Sequence, residues 1–288
     1  MAIAAPPSRV YFASPERRSA AALLREATGE VASRLWLVRH LSAAIRSRAG
    51  ANTLLGNVWW VLDPVLQMPL YVLPVGVILR SGTQAYPLFV FSAVLSWKWF
   101  TAAMIDATLS ISSRDRLIKE LPFPKIILPV ATIVSGIPQF AFGLVPLFAL
   151  MAGFYRDRFS AWLILLPLVG AVQFVFTLAV GVALAAFNVF ARDTGRLSGH
   201  VLRLWFFLSP ALYATDRIDH VAARYPLVGV AFRLNPFTTL FESYRDLIYH
   251  ARPPDVVALA WLLLASAALL ALTTVVFKRL EPSFAKVL

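Results

Sequence analysis

Five lysines stand in the chain, Lys98, Lys119, Lys125, Lys278 and Lys286, and they follow Trp97, Ile118, Pro124, Phe277 and Ala285. A loop that cradles nucleotide phosphates needs glycine directly before its lysine, so that bare backbone N–H groups can close on the phosphate oxygens. None of the five qualifies, so the chain is expected to bind no nucleotide and to hold no cofactor of its own. Four histidines, His40, His200, His220 and His250, are scattered singly. No His or carboxylate pair sits at i, i+3 or i+4 within an apolar run, so no metal site is expected. The absence of cysteine removes thiolate chemistry and any disulfide framework. Asp63 and Asp106 interrupt apolar stretches, but they stand 43 residues apart and each lies near the edge of its stretch. They read as interfacial carboxylates, and no catalytic constellation is expected. Lys98 fits no boundary: it lies well inside an apolar run, where an ammonium in hydrocarbon costs at least about 2.5 to 3.5 kcal/mol. It must face water or a partner.

The elements that carry these residues are membrane spans. Hydrophobic residues make up 59% of the 288, charged residues 15%, and the mean hydropathy is +0.71, outside the range of ordinary soluble domains. Uncharged runs extend over Ile126–Tyr155, Phe159–Ala191 and Val256–Phe277. Each exceeds the roughly 20 residues a helix needs to cross a hydrocarbon core of about 30 Å. Asn57–Leu79, broken by Asp63, and Tyr86–Leu109, with Lys98 and Asp106, read as two more. A sixth is shorter and reaches span length only if it starts near Leu197 and takes in Arg203. The expected fold is therefore an all-α membrane protein with six spans, at about 57–79, 86–109, 126–152, 159–187, 197–215 and 256–277.

Charge sets the expected orientation. With the amino terminus inside, the inner segments carry eight, four, three and three basic residues, eighteen in all, against eight on the outer side. The positive-inside bias then places both termini in the cytoplasm. The net charge of +12 flanks apolar spans and forms no dense soluble patch, so it points to anionic membrane lipid and not to nucleic acid. Residues 1–23, rich in Ala, Ser, Pro and Arg, read as a flexible tail with no cleavable signal. Over 24–45 the spacing of Leu24, Val31, Leu35, Val38 and Leu41 predicts one amphipathic helix lying along the inner membrane surface or against a partner, with a cytoplasmic helix of no particular role as the other reading. Prolines inside the spans predict kinks. The stretch between Asp216 and Asp255 is too polar to span and too apolar for a simple loop. It reads as short re-entrant helices over the outer mouth of the bundle.

Several segments together resemble one family. "RSRAGANTLLGNVWWVLDP" from Arg46 looks like the entry to the first span of the ABC-2 permeases that export polysaccharides. "LIKELPFPKIILP" from Leu117, "NVFARDTGRL" from Asn188, "FFLSPALY" from Phe206, "LNPFTTLFESYRDLI" from Leu234 and "FKRLEPSFAKVL" at the end follow in the same order. The resemblance covers nearly everything from Leu35 and is to the export permeases for O-antigen, capsule and teichoic acid. The chain departs from it at Arg46–Ala49, where an Arg-Tyr-Arg-like patch is usual, and at Lys98, where a neutral polar residue is.

The resemblance implies a homodimeric permease in the bacterial cytoplasmic membrane, not itself an enzyme, that moves a lipid-linked glycan. Two copies of a separate ATPase subunit would use the ATP. It also implies that the loop with Arg114, Asp115, Arg116, Lys119 and Glu120 is a coupling helix docking on that ATPase; a merely solvated loop is the other reading. Sugars offer flat CH faces to aromatic rings, so Trp59, Trp60, Trp97, Trp99 and Phe100 are candidates for the pathway, with an interfacial belt as the alternative. Lys98 would meet the phosphate of the lipid carrier or pair with a carboxylate or carbonyl of a neighbouring helix. Arg233, Asn235 and Pro236 are the candidates for an outer gate. Competing readings are an exporter of a small hydrophobic compound, a membrane-embedded glycosyl- or acyltransferase, and a proton-driven carrier.

Overall fold

A computed structural model describes residues 18–50, 54–73, 84–214 and 224–288, and every regular element among them is helical. Ser19 opens the first helix by accepting a hydrogen bond from the Ala22 N–H at 3.3 Å, the usual task of an N-cap serine. α1 therefore begins at Ala20 and runs Ala20–Ser33, so the sequence read as tail is already helical before residue 24. The rest of that tail, residues 1–17, lies outside the described residues. Arg34 leaves helical geometry (φ −122°, ψ 29°), and α2 resumes at Leu35–Gly50. The single amphipathic helix expected over 24–45 is thus two helices joined by a one-residue break. The apolar spacing passes straight through Arg34 and could not reveal the break.

α3 (Trp59–Val72) contains Pro64 and Pro69; the end of the expected first span, from 74 to 79, lies outside the described residues. α4 (Tyr86–Leu109) is mostly buried and presents apolar residues on all sides, with Lys98 and Asp106 as its charged exceptions, as suits a helix packed among others. It packs against α3, against α6 (Ile127–Ser135) and α7 (Ile137–Phe154), against α8 (Leu166–Phe190) and α9 (Thr194–Phe207), and against α11 (Pro236–Ile248). Between α4 and α6 lies the short α5 (Asp115–Glu120), and before α11 lies α10 (Pro226–Leu234). α12 (Val256–Val287) lies along α8 and leaves most of its surface outside the bundle, where the apolar side chains belong to lipid. Gly181 of α8 permits a close crossing, since a Cβ there would meet Ile133 Cδ1 at 2.6 Å and Met104 Cε at 3.2 Å.

One proline of the third stretch coincides with a break, while Pro129 lies within α6 and Pro146 within α7 without ending either. With Pro138 unable to donate, the chain breaks at Gly136 and changes from α6 to α7. The fourth stretch starts as a 3-10 turn, Ala161–Leu165, before α8, and the last continues well past Phe277 to Val287. Four helical stretches among the described residues are long and apolar enough to cross a membrane: Tyr86–Leu109, Ile127–Phe154, Ala161–Phe190 and Val256–Val287. The fifth expected span is α9, which starts at Thr194 and stops at Phe207, before the turn containing Pro210. Its 14 residues cover about 21 Å at 1.5 Å each, short of the core by themselves.

The bundle has two distinct ends. At one, Ala27 of α1, Ile111 and Ile118 beside α5, Leu128 of α6, Val189 of α8, and Phe277 and Phe284 of α12 form a single apolar cluster. At the other, Tyr86 donates to the Leu212 carbonyl at 2.9 Å, Tyr249 to that of Gln84 at 2.7 Å, and Arg158 to that of Tyr249 at 2.8 Å. α4, α6–α7, α8, α9 and α12 each run from one end to the other in alternating directions.

Candidate functional sites

The first site is the charged end. Ser110 closes α4 by donating to the Ala107 carbonyl at 2.7 Å, and Arg114 reaches back to the Ser110 carbonyl at 2.8 Å. Burial, then the nearby Arg48, lower the affinity of the Arg114 guanidinium for its proton, while Asp106 opposes them. Asn188 of α8 clasps the loop, donating to Ser112 Oγ at 2.8 Å and accepting from the Gly195 N–H at 3.0 Å. α5 then buries Ile118 and leaves Asp115, Arg116, Lys119 and Glu120 exposed. Five expected residues therefore share one short, apolar-anchored segment. Arg116 and Glu120, 3.8 Å apart and both exposed, make a pair of little energetic consequence.

Behind α5 lies a charge cluster that no single stretch of sequence reveals. Lys278 Nζ of α12 stands 3.0 Å from Glu26, 2.9 Å from Glu30 and 2.8 Å from Glu281. The other oxygen of Glu281 accepts from the Lys125 N–H at 2.7 Å. One ammonium thus joins α1, α12 and the strap leading into α6. The hydrogen bond from Lys278, reinforced by Arg18, holds the Glu26 carboxyl below its usual range.

The second site is a wall formed by α3, α4 and α7. Lys98 Nζ lies 3.1 Å from Asp63 Oδ2, with side chains 19% and 43% exposed. The contact is an ion pair between neighbouring helices. Trp60, Pro64, Trp99 and Gln139 surround it. Trp99 stacks on Phe140 with centroids 4.8 Å apart, Trp60 lies 5.6 Å from Phe142, and Trp59 is exposed. Trp97 and Phe100 point elsewhere. They join Trp205, Phe206 and Phe237 in a closed aromatic core, with Phe237 at 4.6 Å from Trp97 and 4.7 Å from Phe100. Of the six residues grouped by sequence as a pathway, Trp59 and Trp60 stand on α3, and the four on α4 are split between two of its faces, Lys98 and Trp99 toward α3 and α7, Trp97 and Phe100 toward the aromatic core. Asp63, read as an interfacial carboxylate, belongs with Lys98. The signal available was one acidic and one basic residue within successive apolar stretches.

The third site is at the far end. Asn235 caps α11 by accepting from the Phe237 N–H at 3.1 Å, accepts from Trp205 Nε1 at 3.1 Å and donates to Ser209 Oγ at 2.9 Å. Pro236 fills the first helical position of α11, and Arg233 is exposed at the end of α10. Arg245, buried in α11, donates to the Ala211 carbonyl at 2.6 Å and lies 3.7 Å over the Phe89 ring. Nearby, Gln173 of α8 donates to the Ser96 carbonyl at 2.8 Å and accepts from the Tyr244 hydroxyl at 2.9 Å. Together these bonds fasten α11 to α4, α8 and the turn after α9.

A helical bundle with long lipid-facing surfaces, an anchored charged helix at one end and an ion pair among tryptophans in its wall defines a polytopic membrane protein of transport type. The comparisons give its family: residues 39–249 match the model of the ABC-2 type transporters, and the chain belongs to that family. It is 34% identical over 236 residues to the O-antigen export system permease protein RfbA of Myxococcus xanthus, covering 82% of this chain and 88% of that one. Two proteins of the same designation from Klebsiella pneumoniae are 24% and 22% identical over 196 residues, 68% of this chain and 73% of each of theirs.

Proposed function

We propose that this chain is the membrane subunit of an exporter that moves a lipid-linked, O-antigen-like polysaccharide across the bacterial cytoplasmic membrane. ATP hydrolysis in a separate subunit drives it. The similarity to the M. xanthus permease, sustained over nearly the full length of both chains, carries this reading. None of the lysines follows glycine, which agrees with a nucleotide site in another chain.

In this reading two copies of the chain cross the membrane six times each, with both termini in the cytoplasm, and pair with two ATPase copies. α5 docks on the ATPase through Arg114, Asp115, Arg116, Lys119 and Glu120. Movement of α5 passes to α8 through Asn188, and to α12 and α1 through the Lys278 cluster. Trp59, Trp60, Lys98 and Trp99 face the glycan, with Asp63 paired to Lys98, while Trp97 and Phe100 hold α4 rigid behind them. Arg233, Asn235 and Pro236 form the outer gate.

Deleting the chain in its host tests the reading. Surface polysaccharide should disappear while lipid-linked glycan accumulates on the cytoplasmic side, and a tagged chain should bring down an ATP-binding subunit. Unchanged surface glycan, with lost tolerance to a hydrophobic toxin, would replace it by small-molecule export.

A further inference from the structure

An open groove of about 550 Å³ runs between α2 and the break joining α6 to α7. On one side Arg39 and Arg46 lie two helical turns apart on the same face of α2, about 10 Å along its axis, with His40 beside them. Across from them Val134, Ile137 and Pro138 form an apolar wall. Among the described residues no carboxylate borders the groove, and neither arginine takes part in an ion pair. Its two sides are held at a fixed distance. Ser42 Oγ lies 2.8 Å from the Ala131 carbonyl as well as 2.7 Å from that of Val38, and buried Val38 packs on Ile127 and Ala131.

We propose that this groove binds the phosphate headgroup of an anionic membrane lipid, with Arg39 and Arg46 on the phosphate and the first acyl carbons along Val134, Ile137 and Pro138. Its chemistry is two-sided, cationic on one flank and apolar on the other, which suits a phosphate attached to a chain better than a soluble anion. A second observation sets its depth. Trp36, 62% exposed, lies one turn before His40, with ring centroids 5.9 Å apart, and the His40 ring is bonded to the Trp36 carbonyl at 2.7 Å. An exposed tryptophan on an amphipathic helix settles where headgroups are, so the two arginines stand at phosphate level. The lipid would then bridge α2 to the α6–α7 break, the point where proline leaves the third stretch free to bend. The proposal rests on the membrane location and the groove, not on which cargo is exported.

The test uses the full chain purified from membranes and reconstituted in nanodiscs of phosphatidylglycerol, of phosphatidylcholine, or of a mixture. Lipid retained on extraction is counted by native mass spectrometry. The wild type should retain phosphatidylglycerol in preference to phosphatidylcholine. Each Arg→Gln change at 39 or 46 should lower that retention about fivefold, and the double variant about thirtyfold, the value of one basic residue at an anionic surface applied once and twice. Arg39→Lys with Arg46→Lys should keep most of it. An Ile137→Asp variant, which leaves the arginines in place, should also lose the lipid because its acyl wall is spoiled. Melting temperature in detergent confirms that each variant is folded. Equal retention by wild type and the double glutamine variant overturns the proposal. So does displacement of the lipid by inorganic phosphate, which would make the occupant a soluble anion.

Discussion

Lys98 is the residue where charge, depth and geometry meet. Its nearest opposite charge, Asp63, is on a different helix, and both side chains are only partly enclosed, so each keeps some access to water or to a passing ligand. Removing one partner of such a pair costs less than in a fully buried one but more than on the surface. Replacing Lys98 by Met strands a carboxylate beside Trp60 and Trp99, and replacing Asp63 by Asn strands an ammonium in the same place. Each single change should lower stability by about 1–3 kcal/mol, and the double change by clearly less than their sum. Thermal unfolding of the four proteins in detergent gives this cycle directly. Strict additivity would show that the two charges do not act as a pair. Export measured on the same variants separates the roles: loss of transport in Lys98→Gln at unchanged melting temperature assigns the ammonium to the cargo.

Elements were legible in the sequence wherever the cause was local. Apolar runs as long as a bilayer core had to become helices, whether uncharged or interrupted as Tyr86–Leu109 is by Lys98 and Asp106, and α4, α6–α7, α8 and α12 fall where those runs do. The Gly136 break was visible in Pro138, because a missing N–H is a property of one residue. What stayed hidden was set by neighbours distant in sequence. Nothing near Arg34 announces two helices, and nothing near Lys278 announces its partner Glu30, 248 residues away. The aromatic residues Trp97 to Phe100 looked like one surface although a helix sends consecutive side chains to different faces. The Lys278 cluster shows how such distant contacts fix an element. α1 is held to α12 by one ammonium facing Glu26, Glu30 and Glu281, with Arg18 on the outer side of Glu26. Because the folded state lowers the Glu26 pKa from 4.5, its share of the docking is complete above that pH and is lost as pH falls through the lowered value. Spin labels on cysteines at Arg25 and Arg279, in a chain with no native cysteine, should give one narrow distance at pH 7 that broadens well below pH 4.5. In Lys278→Met the three carboxylates face each other without the ammonium between them, Arg18 remaining only on the outer side of Glu26, so the distribution should already be broad at pH 7 and tighten on acidification. A narrow, pH-independent distance in that variant would mean that apolar contacts alone hold α1.

At the scale of the whole molecule the question is how often the chain crosses the bilayer. Four stretches satisfy length and hydropathy by themselves, and neither α3 nor α9 does within the described residues. The path of the chain bears on the fifth of the six crossings proposed above. α9 starts beside Asn188 at the charged end, where Gly195 is bonded, and the turn that follows it reaches Tyr86 at the other end through Leu212. α12 then starts near that far end and returns to the charged one, where Phe277 and Phe284 join the cluster with Ala27. If α9 did not cross, α8 would deliver the chain to one face and α12 would have to leave from that same face, placing the carboxyl terminus opposite α5. That arrangement would pull Phe284 away from Ile118, with which it shares one apolar core. Single cysteines in the otherwise cysteine-free chain decide the matter. With an impermeant maleimide on intact spheroplasts, labels should attach at Gln84, Asp157, Tyr225 and Arg252, all exposed, and not at Ser113, Arg196 or Lys286 until the membrane is opened. Arg196 and Tyr225 are the critical pair, since they bracket α9. Labelling of both from the same side would remove that crossing, and with it the common face that α5 and the carboxyl terminus need if one ATPase is to move them together.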